Sequence, residues 1–397
     1  MPRRAEPNLS LAACASEATR TADSLLMTRS NELHIVVVGA GAFGGWTALQ
    51  LTRRGARVTL VDAFGPGNSR ASSGGETRII RRLYRQRLYA ELTAQSLAEW
   101  RACNERWRWP VYEPTGALFM AQPAGEAWLR ATRETATLVG YPLEVLDRTD
   151  IEHRWPQIAV PDIAWALFEP DAGVLHARRA CRAVVEEFVA LGGVYEEIDA
   201  RPSASGAVEL SDGRVLEADA HVFACGPWLG ALFPDVLAQH LTVSRQEVFF
   251  FGTPSADRGR HSRDLPVWAD VGERFVYGIP GNEARGFKLA DDTRGLPHDP
   301  TSADRRVSDA GVAFATSYIA RRFPALAGAP LVESRVCQYT NTASEDYLVD
   351  RHPQHTRTFL VGGGSGHGFK CGPAVGEIVA RWVLDGLEPP RELRLAH

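Results

Sequence analysis

The sequence predicts an α/β fold in which two domains are interleaved. The chain has 397 residues, which is more than a single hydrophobic core usually serves. Glycine-rich turns between a strand-like run and a helix-like run occur near both ends of the chain. Other strand-like runs lie between these turns. We therefore expect one domain to be assembled from distant segments and a second domain to be inserted among them.

Composition and charge narrow the class of protein. Hydrophobic residues make up 45% of the chain, and no apolar run reaches the ~18 residues that a membrane span needs. The formal net charge of −4 gives no global reason to bind nucleic acid. The cysteines and histidines show neither a disulfide framework nor a metal-site spacing. We expect small-molecule partners without nucleic acid, membrane or metal, a cytoplasmic location, and a monomer or weak homo-oligomer.

The first part of the chain differs from the rest. Residues 1–30 are rich in Ala, Ser, Thr and Arg and lack apolar periodicity, so they predict a disordered extension. The LAAC at 11–14 resembles an export signal, but the charged and proline-containing residues before it leave almost no apolar core for one. Met27 is an alternative start, since the ordered pattern begins only at Leu33.

A β-turn-α-β unit of about 30 residues begins the patterned part of the chain. A β-branched run at 34–38 precedes a helical apolar spacing that stops at Gly55, and a second strand-like run ends at Asp62. The first turn carries G-x-G-x-x-G, formed by Gly39, Gly41 and Gly44. This motif lets the backbone approach a pyrophosphate, and an acid such as Asp62 accepts ribose hydroxyls. The unit predicts a Rossmann-like domain that binds NAD or FAD; a glycine-rich turn without a ligand is the alternative.

A second glycine-rich turn lies near the C-terminus. The sequence predicts a strand through Val361, then a loop with five glycines, and an amphipathic helix from about Ala374. Such a loop lets the backbone approach a flat ligand. A further strand is predicted within ADAHVFACGPWLG at 218–230. Segments of one nucleotide-binding domain are thus scattered along the chain.

The remaining strand-like segments, such as TVSRQEVFFFG and ERFVYGIP, predict a separate α+β domain with a mostly antiparallel sheet that covers the site. The nucleotide-binding domain is assigned to residues 31–115, 173–241 and 344–397. The substrate domain is assigned to residues 116–172 and 242–343.

Seven further motifs follow the dinucleotide unit: SSGGETRIIRRLY, EPDAGVL, ACGPWLG, FVYGIP, GFKLADD, VCQYT and SGHGFK. With them, the chain resembles, from about residue 33 to 385, the monomeric sarcosine oxidase and N-methyl amino acid oxidase family, which consists of FAD-dependent amine oxidases of the D-amino-acid oxidase superfamily. The pair VCQYT and SGHGFK is the most specific part of this likeness. The resemblance implies that the Rossmann-like domain binds FAD.

The resemblance also implies how the flavin is held. Many members attach FAD covalently through a cysteine thioether, and Cys337 matches the attachment residue in the family's C-x-Y-T motif. A cysteine that only fills space in the interior is the alternative. Gly366, Gly368 and Lys370 of SGHGFK are implied to lie at the flavin.

The same resemblance implies roles for charged side chains. Arg81 and Lys370 match the residues that hold the substrate carboxylate, and Arg78 matches an arginine near the flavin ring. Lys288 matches the lysine assigned to oxygen activation, with an exposed strand lysine as the alternative. Arg78, Arg81, Arg82 and Arg85 also have helical spacing, so a solvated basic stripe is an alternative for any of them.

Aromatic residues are implied to line the substrate cavity. Tyr277 and Tyr339 match family positions there, and Trp268 is a candidate for the cavity wall. Ordinary core tyrosines with satisfied hydroxyl groups are the alternative.

Two positions depart from the family pattern. Ser73-Gly74 stands where the sarcosine-oxidising members carry two adjacent histidines, and Asp292 stands where they carry another histidine. These changes argue against sarcosine itself and favour a larger N-alkyl, cyclic or otherwise modified amino acid. Asp292 either recognises a cationic part of that substrate or points to solvent.

The resemblance implies an FAD-dependent oxidase of a secondary amine or of an N-alkyl or cyclic amino acid. A hydride equivalent passes from the carbon next to nitrogen to the flavin, which gives an imine, and O2 is reduced to H2O2. A flavin-dependent amine dehydrogenase or a biosynthetic tailoring enzyme with another electron acceptor is the first alternative. An NAD-dependent dehydrogenase would leave the second glycine loop and Cys337 without a role, and a catalytically silent flavoprotein is the third alternative.

Overall fold

The computed structural model describes residues 33–254, 261, 264–281 and 285–395. The extension predicted at residues 1–30 lies outside the described residues. The helices are α1 (Ala42–Arg53), α2 (Arg87–Arg106), α3 (Glu126–Val139), α4 (Arg148–Arg154), α5 (Ala177–Ala190), α6 (Leu229–Leu232), α7 (Pro234–Leu237), α8 (Asp309–Arg322) and α9 (Gly372–Asp385). Within the described part of the chain, no helix combines the length and the apolar character that crossing a bilayer requires.

The strands form two large sheets and two small ones. In chain order they are β1 (His34–Val38), β2 (Arg57–Asp62), β3 (Thr77–Ile80), β4 (Tyr112–Glu113), β5 (Ala117–Ala121), β6 (Glu144–Asp147), β7 (Trp165–Glu169), β8 (Gly173–His176), β9 (Val194–Glu197), β10 (Ala200–Pro202), β11 (Val208–Leu210), β12 (Val215–Leu216), β13 (Ala220–Phe223), β14 (Thr242–Phe251), β15 (Val267–Val271), β16 (Phe275–Ile279), β17 (Phe287–Asp291), β18 (Leu331–Asn341), β19 (Leu348–Arg351) and β20 (Thr358–Gly362).

The first large sheet has the order β19-β20-β13-β1-β2-β9 and is parallel except for the edge strand β19. Its central strands are apolar on both faces because both faces are covered. Ile35 and Val37 pack in the cluster that contains α1 and α9, whereas Val36 and Val38 pack against Leu229 and its neighbours. The predicted Rossmann-like α/β unit is confirmed, and its sheet gathers strands from widely separated parts of the chain.

The second large sheet has the order β18-β14-β17-β16-β15-β5-β7-β6. Its neighbouring strands run antiparallel except for the parallel pair β5 and β15. The expectation of a mostly antiparallel sheet is therefore confirmed. Its strands come from residues 117–169 and 242–341. The exact domain boundaries given above stay a prediction.

The two faces of this second sheet have different neighbours. Trp268 stacks on Tyr318 of α8 with ring centroids 6.0 Å apart and is fully buried. The register pairs Trp268 with Gly278 and Ala269 with Tyr277, so the tryptophan and Tyr277 point to opposite faces. Trp268 is therefore a core residue beneath α8, and its predicted place in the cavity wall is wrong.

A buried ion pair fastens α8 to this sheet. Arg322 and Asp270 are each 1% exposed, and their Nη2 and Oδ2 atoms lie 2.5 Å apart. The hydroxyl group of Tyr318 donates a hydrogen bond to the same carboxylate oxygen at 2.5 Å. Arg322 also pairs with Asp162 at 2.8 Å, so loss of Asp270 would leave the guanidinium with one carboxylate and the buried Tyr318 hydroxyl without its acceptor.

We predict that Asp270→Ala lowers the free energy of unfolding by about 2–4 kcal/mol, because the buried Arg322 guanidinium keeps only Asp162 and the Tyr318 hydroxyl loses its acceptor. The matched control is Glu126→Ala, which breaks an exposed pair with Arg130 and should cost less than about 1 kcal/mol. Urea unfolding of both variants measures the difference, and equal small losses would contradict the assignment.

Candidate active site

A groove of about 420 Å³ lies at the carboxyl ends of the parallel strands. Asp62 and Cys225 line it near one end, and Arg78, Tyr339 and Phe369 line it elsewhere. Both glycine-rich turns predicted from the sequence border this groove. The fold therefore brings together segments that are more than 300 residues apart in the chain.

The first turn has the geometry that a bound pyrophosphate requires. Gly39 has φ +105°, and a Cβ there would lie 2.4 Å from the carbonyl oxygen of Ala224. A Cβ on Gly44 would lie 1.9 Å from the carbonyl oxygen of Gly39, so helix and strand approach closely. Helix α1 begins after Gly41 without a side-chain cap, which leaves its N–H groups to face the groove.

Asp62 is held rigidly at the end of β2. Its carboxylate accepts hydrogen bonds from the backbone N–H groups of Ala40, at 2.7 Å, and Phe64, at 2.9 Å. Burial raises the pKa of this carboxyl group, while these two hydrogen bonds oppose the shift. The carboxylate keeps further acceptor capacity toward the groove.

The second turn closes the groove from the other side. A Cβ on Gly366, which has φ +80°, would lie 2.6 Å from the Tyr339 ring, and one on Gly368 would lie 2.7 Å from the Phe43 ring. Both glycines line the groove. Their missing side chains therefore create its shape.

Two polar atoms in the groove lack partners. The hydroxyl oxygens of Ser72 and Thr340 are buried and form no hydrogen bond, and both residues line the groove. Buried hydroxyl groups are normally satisfied, so a ligand with polar edges fits here. The two glycine turns, Asp62 and these hydroxyls together fit a flavin dinucleotide.

Two cationic side chains, Arg81 and Lys370, lie close together beside the second glycine-rich turn. The Lys370 ammonium donates hydrogen bonds to the Tyr84 hydroxyl at 2.9 Å and to the His367 carbonyl oxygen at 2.8 Å. The Arg81 guanidinium lies 4.3 Å from the centroid of the Tyr84 ring. Burial lowers the pKa of Lys370 to about 7, and the charge of Arg81 lowers it further. The structure thus brings together the two predicted carboxylate ligands.

A carboxylate faces these cations. The Tyr339 hydroxyl donates a hydrogen bond of 2.9 Å to Oδ1 of Asp292, and the Tyr277 hydroxyl lies 3.5 Å from that of Tyr339. Burial raises the pKa of Asp292, whereas Arg294 and Arg81 act in the opposite direction. The Asp292 side chain is 31% exposed and binds a tyrosine that lines the groove, so it lies at the edge of the site. Burial also raises the pKa of Tyr277 to about 12.

Lys288 occupies a separate position on β17. It is 5% exposed, its ammonium donates a hydrogen bond of 3.0 Å to the Thr77 carbonyl oxygen, and it lies 6.0 Å from the centroid of the Tyr277 ring. Burial lowers its pKa to about 7, with a further contribution from the charge of Arg78. The alternative of an exposed strand lysine is wrong.

The four arginines do not share a helical face, because Arg78 lies in strand β3 and the residues after Ile80 are irregular. Arg78 lines the groove and donates to the carbonyl oxygens of Thr77 and Ser72. Arg82 instead forms a buried ion pair of 2.7 Å with Glu169. Arg85 is exposed. The helical spacing was therefore a wrong guide to this segment.

Cys337 lies on β18, two residues before Tyr339, so the two side chains share a face of the sheet. Its sulfur is half-buried and lies 4.0 Å from the Ser72 carbonyl oxygen. Cys337 packs against the cluster of Val248, Phe250 and Ala290, whereas the free Cys225 lines the groove with its sulfur 3.7 Å from the Val38 carbonyl oxygen. No cluster of His, Cys, Asp or Glu suited to a metal ion occurs among the described residues.

Comparisons with known proteins bear on this groove. A family model described as FAD dependent oxidoreductase matches residues 34–382. This chain belongs to that family. Monomeric sarcosine oxidase from Bacillus sp. (strain B-0618) is 31% identical over 370 residues, covering 90% of this chain and 93% of the relative. N-methyl-L-tryptophan oxidase from Salmonella typhimurium is 28% identical over 365 residues, covering 88% and 94%.

A solved structure shows the same fold. The modified fructosyl peptide oxidase from Aspergillus nidulans, in complex with FSA, matches with a TM-score of 0.81 at 21% identity, covering 92% of this chain and 93% of that chain. The protein is therefore an enzyme of the FAD-dependent oxidoreductase class, and FAD is the cofactor that fits its groove.

Tyr84 is a residue of this oxidoreductase's site that the sequence does not reveal. It contacts both Arg81 and Lys370, yet nothing in its motif distinguishes it from a core tyrosine. His367, in the second glycine-rich turn, does not line the groove, and its Nδ1 lies 2.9 Å from the Tyr347 hydroxyl.

We predict that carboxylate binding depends on the charge of Lys370. Propionate, detected by its effect on flavin absorbance, should bind more weakly as pH rises above about 7, because the ammonium loses its proton there. Lys370→Met should bind about 10-fold more weakly at pH 6 and show no such decline. Lys370→Arg keeps its positive charge, so its affinity for propionate should not decline between pH 6 and 9. A wild-type profile that is flat over this range would contradict the assignment.

Proposed function

We propose that this FAD-dependent oxidoreductase oxidises a secondary amine of an N-alkyl or cyclic amino acid at the carbon next to nitrogen. The observation that carries the proposal is that Arg81 and Lys370 both contact Tyr84 beside the second glycine-rich turn, with Asp292 bound to Tyr339 nearby. Two relatives, a sarcosine oxidase and an N-methyl-L-tryptophan oxidase, support an amine substrate. Arg81 and Lys370 can bind a substrate carboxylate, and Asp292 can accept a hydrogen bond from a donor group on the same substrate.

Arg81 and Lys370 would serve binding and chemistry together. They hold the substrate carboxylate through charge-assisted hydrogen bonds. The same positive charges disfavour a protonated amine, since like charges lower its pKa. A neutral amine is required because its lone pair stabilises the developing iminium ion. Burial lowers the pKa of Lys370 to about 7, which also limits how much positive charge the site holds.

Asp292 would set the substrate preference. Its Oδ1 accepts the Tyr339 hydroxyl, and the rest of the carboxylate is available to a cationic or hydrogen-bond-donating group. In the resemblance described above, the sarcosine-oxidising members carry a histidine here. By the same resemblance, Ser73 and Gly74 stand where those members carry two more histidines; Ser73 lines the groove, and its side chain is smaller than an imidazole ring. A substrate larger than sarcosine fits both changes.

When bound, FAD would supply the acceptor for the hydride equivalent and so yield an imine. We assign its pyrophosphate to the turn with Gly39 and Gly41, its ribose to Asp62, and its tether to Cys337. Lys288 would provide a fixed positive charge for the reduction of O2 to H2O2, because anionic oxygen species are stabilised by such a charge in a buried site.

The substrate class is tested by anaerobic bleaching of the flavin with N-methyl, cyclic and primary amino acids in both enantiomers. We predict that secondary amino acids bleach the flavin.

Arg81→Ala should weaken binding of a carboxylate substrate about 10- to 100-fold and should have little effect on binding of the matching uncharged amine. Arg85→Ala, at an exposed arginine, is the control. Absence of bleaching by every amine would reject the function, and equal losses for both substrates would reject the role of Arg81.

We predict that Lys288→Met slows reoxidation of the reduced flavin by O2 about 100-fold, while anaerobic reduction by the amine stays largely intact. In the wild type, reoxidation should slow as pH rises through about 7, because Lys288 loses its positive charge there. Lys288→Arg keeps the charge and should remove this pH dependence. Stopped-flow absorbance measures both half-reactions. Unchanged reoxidation in Lys288→Met would refute the assignment and favour another electron acceptor.

The flavin tether is tested by denaturing the purified protein and looking for flavin fluorescence on the polypeptide. We predict that the wild type and Cys225→Ser keep the fluorescence, since Cys225 lies near Val38 at the dinucleotide turn. Cys337→Ser should release all flavin into the supernatant. A wild-type chain that releases its flavin completely would exclude covalent attachment.

A further inference from the structure

A second cavity, of about 720 Å³, lies behind strand β3. Thr77 lines this cavity, whereas the next residue, Arg78, lines the flavin groove. Consecutive strand residues point to opposite sides, so β3 forms the partition between the two spaces. Lys288 also lines the second cavity, where its ammonium meets the backbone of Thr77. The cavity thus lies on the other side of β3 from the flavin groove, and Lys288 is the residue of the proposed oxygen reaction that reaches it.

The lining of this cavity is strongly cationic. Over the described residues it includes six arginines and Lys288 against three glutamates. Two of these glutamates already have arginine partners: Glu76 pairs with Arg178 at 3.2 Å, and Glu187 pairs with Arg53 at 2.5 Å. Arg106 and Arg285 pair with glutamates outside the lining, Glu99 at 2.7 Å and Glu333 at 2.8 Å. The excess positive charge therefore rests mainly on Arg108, Arg182 and Lys288, and a concave surface with such an excess concentrates anions.

Several arginine donors in the lining have no acceptor. Arg108 and Arg182 form no ion pair within the described part of the chain, and Arg108 lies 5.1 Å from the Trp109 ring. The Nε atoms of Arg178 and Arg285 are buried and without a hydrogen-bond partner. Buried donors of this kind are costly when left unsatisfied. Carboxylate or phosphate oxygens in the cavity would instead pair with the exposed guanidinium groups of Arg108 and Arg182, in the two-point geometry that guanidinium groups favour.

The cavity also offers apolar surface. Trp107, Trp109 and Phe250 contribute to the lining, and the volume lies in the range of small-molecule sites. Arg178 and Arg182 stand one turn apart on α5 and can act on one ligand. We propose that this cavity binds a small organic anion that carries at least two carboxylate or phosphate groups. The binding does not depend on the proposed amine chemistry.

The proposal is tested by calorimetric titration of the holoenzyme with citrate and with pyrophosphate, at fixed ionic strength so that general screening is constant. We expect saturable binding of at least one of these probes at a single site. The double variant Arg108→Glu/Arg182→Glu should weaken that binding at least about 10-fold, which is about 1.4 kcal/mol. Arg182→Gln removes one charge without adding a repulsive one and should give a smaller loss.

The matched control is Arg133→Glu/Arg381→Glu, which changes the net charge equally at exposed arginines outside this cavity. It should bind the probes like the wild type, and unchanged flavin absorbance verifies folding of every variant. The proposal is overturned if neither probe shows saturable binding, or if both double variants weaken binding equally. Amine bleaching of the flavin is measured separately, so its failure would count against the amine function alone.

Discussion

The active site depends on backbone contacts that leave no room for side chains. At the first turn, Gly39 lies so close to the Ala224 carbonyl that a methyl group would overlap it, and Gly44 lies equally close to Gly39. At the second turn, Gly366 lies against the Tyr339 ring. These contacts join β1, β13 and the loop after β20, and they shape the groove that fits the dinucleotide. The other residues of the site are arranged around this groove.

The second constraint is the alternation of side chains in the eight-stranded sheet. One face carries Tyr277 and Lys288, of which Lys288 lines the second cavity beside β3, and the other face carries Trp268 toward α8. The buried pair of Asp270 and Arg322 fastens α8 to that second face. Stability and chemistry are therefore divided between the two faces of one sheet, and each face has its own set of charged groups.

Burial also sets the charge of the site. Lys288 and Lys370 lie on different elements, yet both have pKa values near 7 because each ammonium is desolvated beside an arginine. Their charge therefore responds to small changes in surroundings near neutral pH. Strand β3 separates the groove from the cationic second cavity, so positive charge acts from both sides of that strand.

The sequence by itself determined the dinucleotide unit, with Gly39 and Asp62, and the order of motifs that indicates an FAD-dependent oxidoreductase, because local spacing fixes turns and strand ends. Only the tertiary structure decided that Asp292 faces the cations, that Trp268 belongs to the core, and that Tyr84 joins the site. Alternation in a strand defines two faces but does not say which face meets the flavin domain. That choice follows from pairing between distant strands, such as β14 with β18 and β5 with β15, which no local pattern encodes.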